Sequence, residues 1–89
     1  MTGKYKPLEN YLAEQPKSTF KIMLTFEKVE IILGEKLPPS AYHHKAWWAN
    51  EHSATHGHAH TWLNVGWRVE SFDQRRTWVI FQRIQHKHK

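Results

Sequence analysis

The sequence predicts a small α+β domain with a three-stranded antiparallel sheet and the element order helix, strand, helix, helix, helix, hairpin. Three observations predict this class. Apolar residues recur at helical spacing through much of the first two thirds, a short alternating segment follows the first helix, and the last third alternates apolar and polar residues around a polar turn. Because 89 residues suffice for one hydrophobic core, we expect a single domain over 1–89.

The first helix is predicted to begin at Pro7, where the missing N–H of proline costs nothing, and to end by Pro16. Its apolar face consists of Leu8, Tyr11 and Leu12. A strand is predicted over 19–24, in which the residues facing one way are Phe20, Ile22 and Leu24.

A second helix is predicted to follow Thr25, whose hydroxyl is suited to accept a backbone N–H as an N-cap. Glu27 lies in its first turn, where a negative charge is favourable, and Gly34 provides the stop. Its apolar stripe consists of Phe26, Val29, Ile32 and Leu33.

A third helix is predicted over 40–50, capped by Ser40 after an extended Leu37-Pro38-Pro39 connector. Trp47 and Trp48 would lie about 100° apart on it, so we expect that both cannot face the core. The sequence breaks over 51–55, and a fourth helix is predicted over 56–65.

The chain is predicted to finish as a hairpin, with strands 67–72 and 77–83 around a turn at 73–76. The predicted inner face consists of Trp67, Val69, Val79 and Phe81. Residues 84–89 are expected to be a frayed basic tail.

Without the fourth helix, this element order is that of a winged helix, in which the early strand pairs with the late hairpin and the second and third helices form a helix-turn-helix. We therefore predict a winged-helix-like domain. The additional helix leaves open either an elaborated winged helix or a different α+β arrangement.

Composition excludes several protein classes. The chain has no cysteine, so it has neither a disulfide framework nor a cysteine-based zinc finger. Its N-terminus lacks the apolar segment of a signal peptide, and no stretch approaches the roughly 20 apolar residues of a membrane span. We expect a cytoplasmic protein without a membrane partner.

Positive charge is concentrated in the last third of the chain. The formal net charge is +5; residues 1–60 hold seven Lys or Arg against six Asp or Glu, whereas residues 61–89 hold six against two. Such asymmetry indicates an anionic partner. The alternative is a solvated basic surface with no partner.

The sequence resembles a known family at positions spread over nearly its whole length. The matching residues are Lys4 to Leu8, Leu12, Leu24 to Phe26, Glu30, Ile32 to Gly34, Leu37 to Ala41, Ala46 to Asn50, Trp62, Gly66, Trp67, Val69 and Val79 to Arg83. They resemble the DUF7662 family of short bacterial and archaeal proteins of unknown function. The resemblance implies one domain and brings no activity. Lys28 departs from the acidic residue expected three positions after Thr25, which leaves the capping box incomplete.

A nucleic-acid-binding module, with DNA favoured over RNA, is the preferred interpretation. The candidate binding residues are His43, His44, Lys45, Trp47, Asn50, Arg68, Arg75, Arg76 and Arg83. In a groove-binding helix, Asn50 could pair with adenine and Lys45 with guanine or phosphate, while Arg75 and Arg76 would hold the backbone from the hairpin turn. Aromatic residues among basic ones also suit base stacking with a single strand.

Two alternatives stay open. A protein-interaction or homodimerisation module would use an exposed Trp47 or Trp48, since tryptophan frequently anchors interfaces. A metal-dependent hydrolase would use His52, His56 and His60, of which the last two share a helix face at zinc-binding spacing. The sequence shows no thiol, phosphate-binding glycine loop or close carboxylate pair, so we expect neither an enzyme nor a cofactor.

Overall fold

The computed structural model describes residues 3–51 and 58–85. Its helices are α1 (Lys6–Ala13), α2 (Phe26–Leu33), α3 (Pro39–His43), a 3-10 helix (Lys45–Trp48) and α4 (His60–Leu63). Its strands are β1 (Lys21–Thr25), β2 (Trp67–Asp73) and β3 (Trp78–Arg83). The predicted α+β class with a three-stranded antiparallel sheet is confirmed.

The sheet has the strand order β1-β3-β2, so the early strand pairs with the last strand of the chain. Leu24 lies opposite Val79, and Val69 lies opposite Phe81. A bulge between Val69 and Ser71 then shifts the register of β2. This pairing is what the winged-helix interpretation requires, and the interpretation itself stays a prediction.

The core fills the space between the helices and one face of the sheet. Four of the five tryptophans belong to it, namely Trp47, Trp48, Trp62 and Trp67. Trp48 lies between Phe26, at a ring distance of 5.1 Å, and Trp62, at 5.9 Å, with both rings nearly parallel to its own. Aromatic pairs of this kind contribute about 0.5–1.5 kcal/mol each beyond the area they bury.

The ends of α2 form as predicted. The Thr25 hydroxyl oxygen accepts the backbone N–H of Lys28 at 3.0 Å. At the other end, Gly34 adopts φ of 78°, a left-handed conformation that glycine takes without steric cost, and its N–H donates to the carbonyl of Glu30.

The predicted continuous helix over 40–50 is wrong. α3 ends at His43, His44 is extended, and the 3-10 helix that follows ends at Trp48. In a longer helix the Ala41 carbonyl would accept the N–H of Lys45. Instead it accepts the indole N–H of Trp48 at 2.9 Å and the side-chain amide of Gln74 at 3.0 Å.

The start of this segment also differs, because Pro38 occupies the N-cap position and Ser40 lies within the helix. The expectation for the two tryptophans is also wrong. Trp47 and Trp48 are 8% and 1% exposed, and both are buried because aromatic side chains from other parts of the chain cover each ring.

Smaller differences occur at other element ends. β1 begins at Lys21, so Phe20 lies outside the strand and is exposed. α4 covers only His60–Leu63 of the predicted fourth helix, and residues 56–57 lie outside the described part. The backbone N–H of Ile84 donates to the Gly66 carbonyl at 2.8 Å, so the predicted tail is still bonded to the domain at its first residue.

Candidate nucleic-acid interface

The hairpin turn is fastened to the C-terminal end of α3 by one side chain. The amide nitrogen of Gln74 donates to the carbonyls of Ala41 and His44, both at 3.0 Å. Within the turn, the Asp73 carboxylate accepts the backbone N–H groups of Arg75 and Arg76 at 3.0 and 2.9 Å. The turn therefore holds both arginines beside the segment that joins α3 to the 3-10 helix.

We define the basic surface as the five exposed side chains that this arrangement brings together: His43, His44, Lys45, Arg75 and Arg76. Within the described ranges, the ion pairs join Lys6 to Glu9 and Lys21 to Glu70, and neither includes a member of the basic surface. Five of the nine predicted binding residues thus lie in two exposed segments that Gln74 joins, and the charged members are Lys45, Arg75 and Arg76.

Asn50 does not lie on the basic surface. Its Oδ1 accepts the backbone N–H of Val69 at 2.8 Å and the indole N–H of Trp62 at 2.9 Å, while its Nδ2 donates to the Val69 carbonyl at 2.9 Å. Both ends of the amide are therefore committed within the domain. These three hydrogen bonds give Asn50 a structural role, and its predicted pairing with adenine stays a prediction.

Trp47 is part of an aromatic cluster rather than a free surface. Its ring stacks on His58 at 4.3 Å with an interplanar angle of 12° and meets the edge of Tyr5 at 5.8 Å. His58 Nε2 lies 2.6 Å from the Trp47 carbonyl oxygen. With Trp48 buried as well, the interaction alternative loses the exposed tryptophan on which it was based. Homodimerisation itself stays a prediction.

The two strand arginines lie on opposite faces of the sheet, because Trp67 pairs with Arg83 and Arg68 pairs with Gln82. Arg83 donates to the carbonyls of Thr19 and Pro16, both at 2.9 Å, and lies 4.4 Å from the centre of the Trp67 ring. These contacts give Arg83 a structural role, and its predicted phosphate contact stays a prediction. Arg68 stays exposed on the outer face, where it donates to the side chain of Gln82 at 3.2 Å.

Residues 5–84 match the model of a family described as a domain of unknown function, DUF7662. The chain belongs to the DUF7662 family. No curated protein and no solved structure matches it. Among the described residues of this DUF7662 domain, no helix combines the length and apolar character needed to cross a membrane.

Sequence reasoning missed Trp78 of the DUF7662 domain. It is the fifth tryptophan, half-buried and outside the core cluster, at the start of β3. Side chains alternate between the two faces of a strand, so the prediction that Val79 and Phe81 face the core already implied that Trp78 faces outward.

A hydrogen-bonded carboxylate holds α3 of the DUF7662 domain against α2. Glu30 accepts the Tyr42 hydroxyl at 2.7 Å and the Leu37 backbone N–H at 2.9 Å. The hydrogen bond from Tyr42 is the main cause of the lowered pKa of Glu30. Burial, followed by the hydrogen bond to Glu30, raises the pKa of Tyr42 to about 12. The start of the basic surface is thereby fixed to the core.

Two of the three histidines in the predicted metal site of the DUF7662 domain, His52 and His56, fall in residues 52–57, outside the described ranges. His60 is the first residue of α4. Within residues 3–51 and 58–85, no three potential metal-ligating side chains form a group. A metal site that uses His52, His56 and His60 stays a prediction.

Proposed function

We propose that this protein binds nucleic acid, with DNA favoured, through the basic surface. The observation that carries the proposal is the pair of hydrogen bonds from Gln74 to Ala41 and His44, because it gathers cations from two separate elements. Lysine and arginine side chains on loops and helix ends are typical contacts to phosphate oxygens. We place this activity in the cytoplasm, as the sequence predicts.

The geometry favours contact with the phosphate backbone over the predicted reading of bases. α3 has only five residues, and Asn50 bonds to Val69 and Trp62. Phosphate contacts position a protein on nucleic acid but do not distinguish sequences. We therefore propose binding of low sequence selectivity, which would suit a regulatory or architectural role.

A titration at two salt concentrations tests the proposal, with labelled duplex DNA, single-stranded DNA and RNA as probes. Affinity should fall steeply as salt rises, because each neutralised phosphate releases counterions and adds about 0.7–0.9 to the slope of log affinity against log salt. The combined R75E and R76E variant should bind much more weakly and with a smaller slope.

The single variants R75E and R76E should each show part of this loss, and Lys17→Glu is their matched control because it makes the same change of charge elsewhere. Lys17 is exposed in the loop whose Pro16 and Thr19 carbonyls bind Arg83, at the end of the sheet opposite the hairpin turn. This variant should retain most of the affinity. An affinity that is the same at both salt concentrations, or equal losses in K17E and R76E, would overturn the proposal.

A further inference from the structure

The sheet has an outer face on which its residues form three rows. The register across β1, β3 and β2 gives the rows Thr25, Trp78 and Asp73; Met23, Ile80 and Ser71; and Lys21, Gln82 and Arg68. We call these nine residues the open face. The buried residues of all three strands point the other way, into the core.

An apolar stripe crosses the middle of the open face. Met23 is 59% exposed, and Trp78 and Ile80 are half-buried outside the core cluster. The other four tryptophans all lie in the core, so Trp78 is the indole that keeps solvent contact. Partly exposed aromatic rings on a sheet surface are suited to stack on unpaired bases, because every base has a π-face.

Cations lie at both ends of this stripe. The hairpin turn with Arg75 and Arg76 lies next to the Trp78 row, whereas Arg68 and Lys21 belong to the row at the other end, where Glu70 offsets the charge of Lys21. Two carboxylates lie nearby, and both are engaged. Glu70 pairs with Lys21 at 3.7 Å, and Asp73 accepts the backbone amides of the turn.

The length of the open face along β3 suits an extended polynucleotide. Gln82 lies four positions after Trp78 along β3, which corresponds to about 13 Å at roughly 3.3 Å per residue. A nucleic-acid strand that lies along β3 would meet arginine at each end and apolar side chains between them. A duplex presents its bases stacked on one another, so their faces are not accessible to Trp78.

We infer that the open face binds single-stranded nucleic acid, with a base stacked on Trp78 beside Ile80 and Met23 and with phosphates at Arg75, Arg76 and Arg68. This inference rests on the proposed function, because the turn arginines belong to both surfaces. Charge argues against a second copy of the chain as the occupant. Two open faces would bring Arg68 and the turn arginines of each copy towards like charges, which is unfavourable.

The test compares oligothymidine with a duplex of the same length, using wild-type protein, Trp78→Ala and Trp78→Phe. Trp78→Ala should weaken oligothymidine binding about 5- to 150-fold, the range that corresponds to ~1–3 kcal/mol per stacked base. Trp78→Phe should lose less, because a smaller ring still stacks. Duplex affinity should stay at the wild-type value in both variants.

Ile31→Ala is the matched control, since Ile31 is 67% exposed on α2 and lies outside the open face. It should bind both probes as the wild type does. Crosslinking of 5-iodouracil oligonucleotides to the wild-type protein gives a second measurement that needs no variant to fold. The crosslinked peptide should contain Trp78.

The outcomes separate the two claims. If the wild type binds neither probe, the proposed function fails and the inference fails with it. If it binds the duplex in a salt-dependent manner while Trp78→Ala matches the wild type on oligothymidine, the basic surface stands and the open-face inference is overturned. A dimer that Trp78→Ala dissociates, with oligothymidine affinity unchanged, would show that the occupant is a second copy and would also overturn it.

Discussion

Asn50 binds both backbone polar groups of Val69. Its Oδ1 accepts the Val69 N–H at 2.8 Å, and its Nδ2 donates to the Val69 carbonyl at 2.9 Å. Val69 lies on β2, an edge strand of the sheet, and because both groups bond to Asn50 they lie on the side of β2 away from β3. The side-chain amide therefore pairs this part of the edge as a neighbouring strand would, and it also accepts the indole N–H of Trp62.

Asn50→Ala is expected to lower the free energy of unfolding by about 1–3 kcal/mol, because donors on Val69 and Trp62 lose their acceptor. Urea denaturation measures the loss. Asn10→Ala, at an exposed position of α1, should change the midpoint only slightly. Under native conditions Asn50→Ala should bind nucleic acid nearly as well as the wild type. An unchanged midpoint with lost binding would return Asn50 to the interface.

Gln74→Ala is expected to weaken nucleic-acid binding although every arginine remains. The hairpin turn would lose two hydrogen bonds to α3, and the basic surface would no longer be held together. At about 1 kcal/mol the loss corresponds to roughly 5-fold in affinity. Fluorescence anisotropy with labelled DNA measures it. Gln85→Ala, at an exposed position after β3, is the control; equal affinities for the two variants would contradict the positioning role of Gln74.

Arg83→Lys is expected to destabilise the domain and leave the salt dependence of binding unchanged. Lysine does not reproduce the planar group that donates to Pro16 and Thr19 while it lies over Trp67. The expected loss is about 1–3 kcal/mol in the free energy of unfolding, measured by urea denaturation. A salt slope that falls as it does in R76E would instead show that Arg83 contacts phosphate.

The pair of Glu30 and Tyr42 is expected to make stability depend on pH at two extremes. The pKa of Glu30 lies below its ordinary 4.5, so its contribution is present above that value and is lost as the pH falls through the lowered pKa. The pKa of Tyr42 is raised to about 12, so its contribution is present below the ordinary 10.0 and is lost as the pH rises from 10.0 through about 12.

Denaturation midpoints across the pH range measure both effects, and the difference in tyrosinate absorbance between the wild type and Tyr42→Phe isolates Tyr42. Tyr42→Phe should reduce the change at both extremes. Tyr11→Phe should keep both, because Tyr11 has no part in this hydrogen bond. A Tyr42→Phe profile identical to that of the wild type would show that the hydrogen bond does not contribute to folding.

Local interactions explain the parts of the fold that were predictable. Thr25 caps α2 through a residue three positions away, and Gly34 ends the helix by its own backbone freedom. The alternation of β2 and β3 placed Trp67, Val69, Val79 and Phe81 in the core. Each of these features depends on neighbours along the chain, and periodicity is enough to reveal it.

The candidate site was predictable only in part. Charge and turn propensity indicated the arginines of the hairpin turn, and these are exposed as expected. The roles of Asn50 and Arg83 could not be derived in the same way. The partners of Asn50 lie 12 and 19 residues away along the chain and those of Arg83 lie 64–67 away, so no local pattern distinguishes them from surface recognition residues.

By itself, the sequence determined the α+β class, the ends of α2, the pairing of the early strand with the hairpin and the excess of positive charge near the C-terminus. Tertiary structure alone decided where the helix after Pro39 ends, because Trp48 and Gln74 occupy the Ala41 carbonyl that a longer helix would need. It also decided which tryptophan stays partly exposed. Side chains from distant parts of the chain compete for the same backbone groups and the same core volume, and only the folded packing shows which of them prevail.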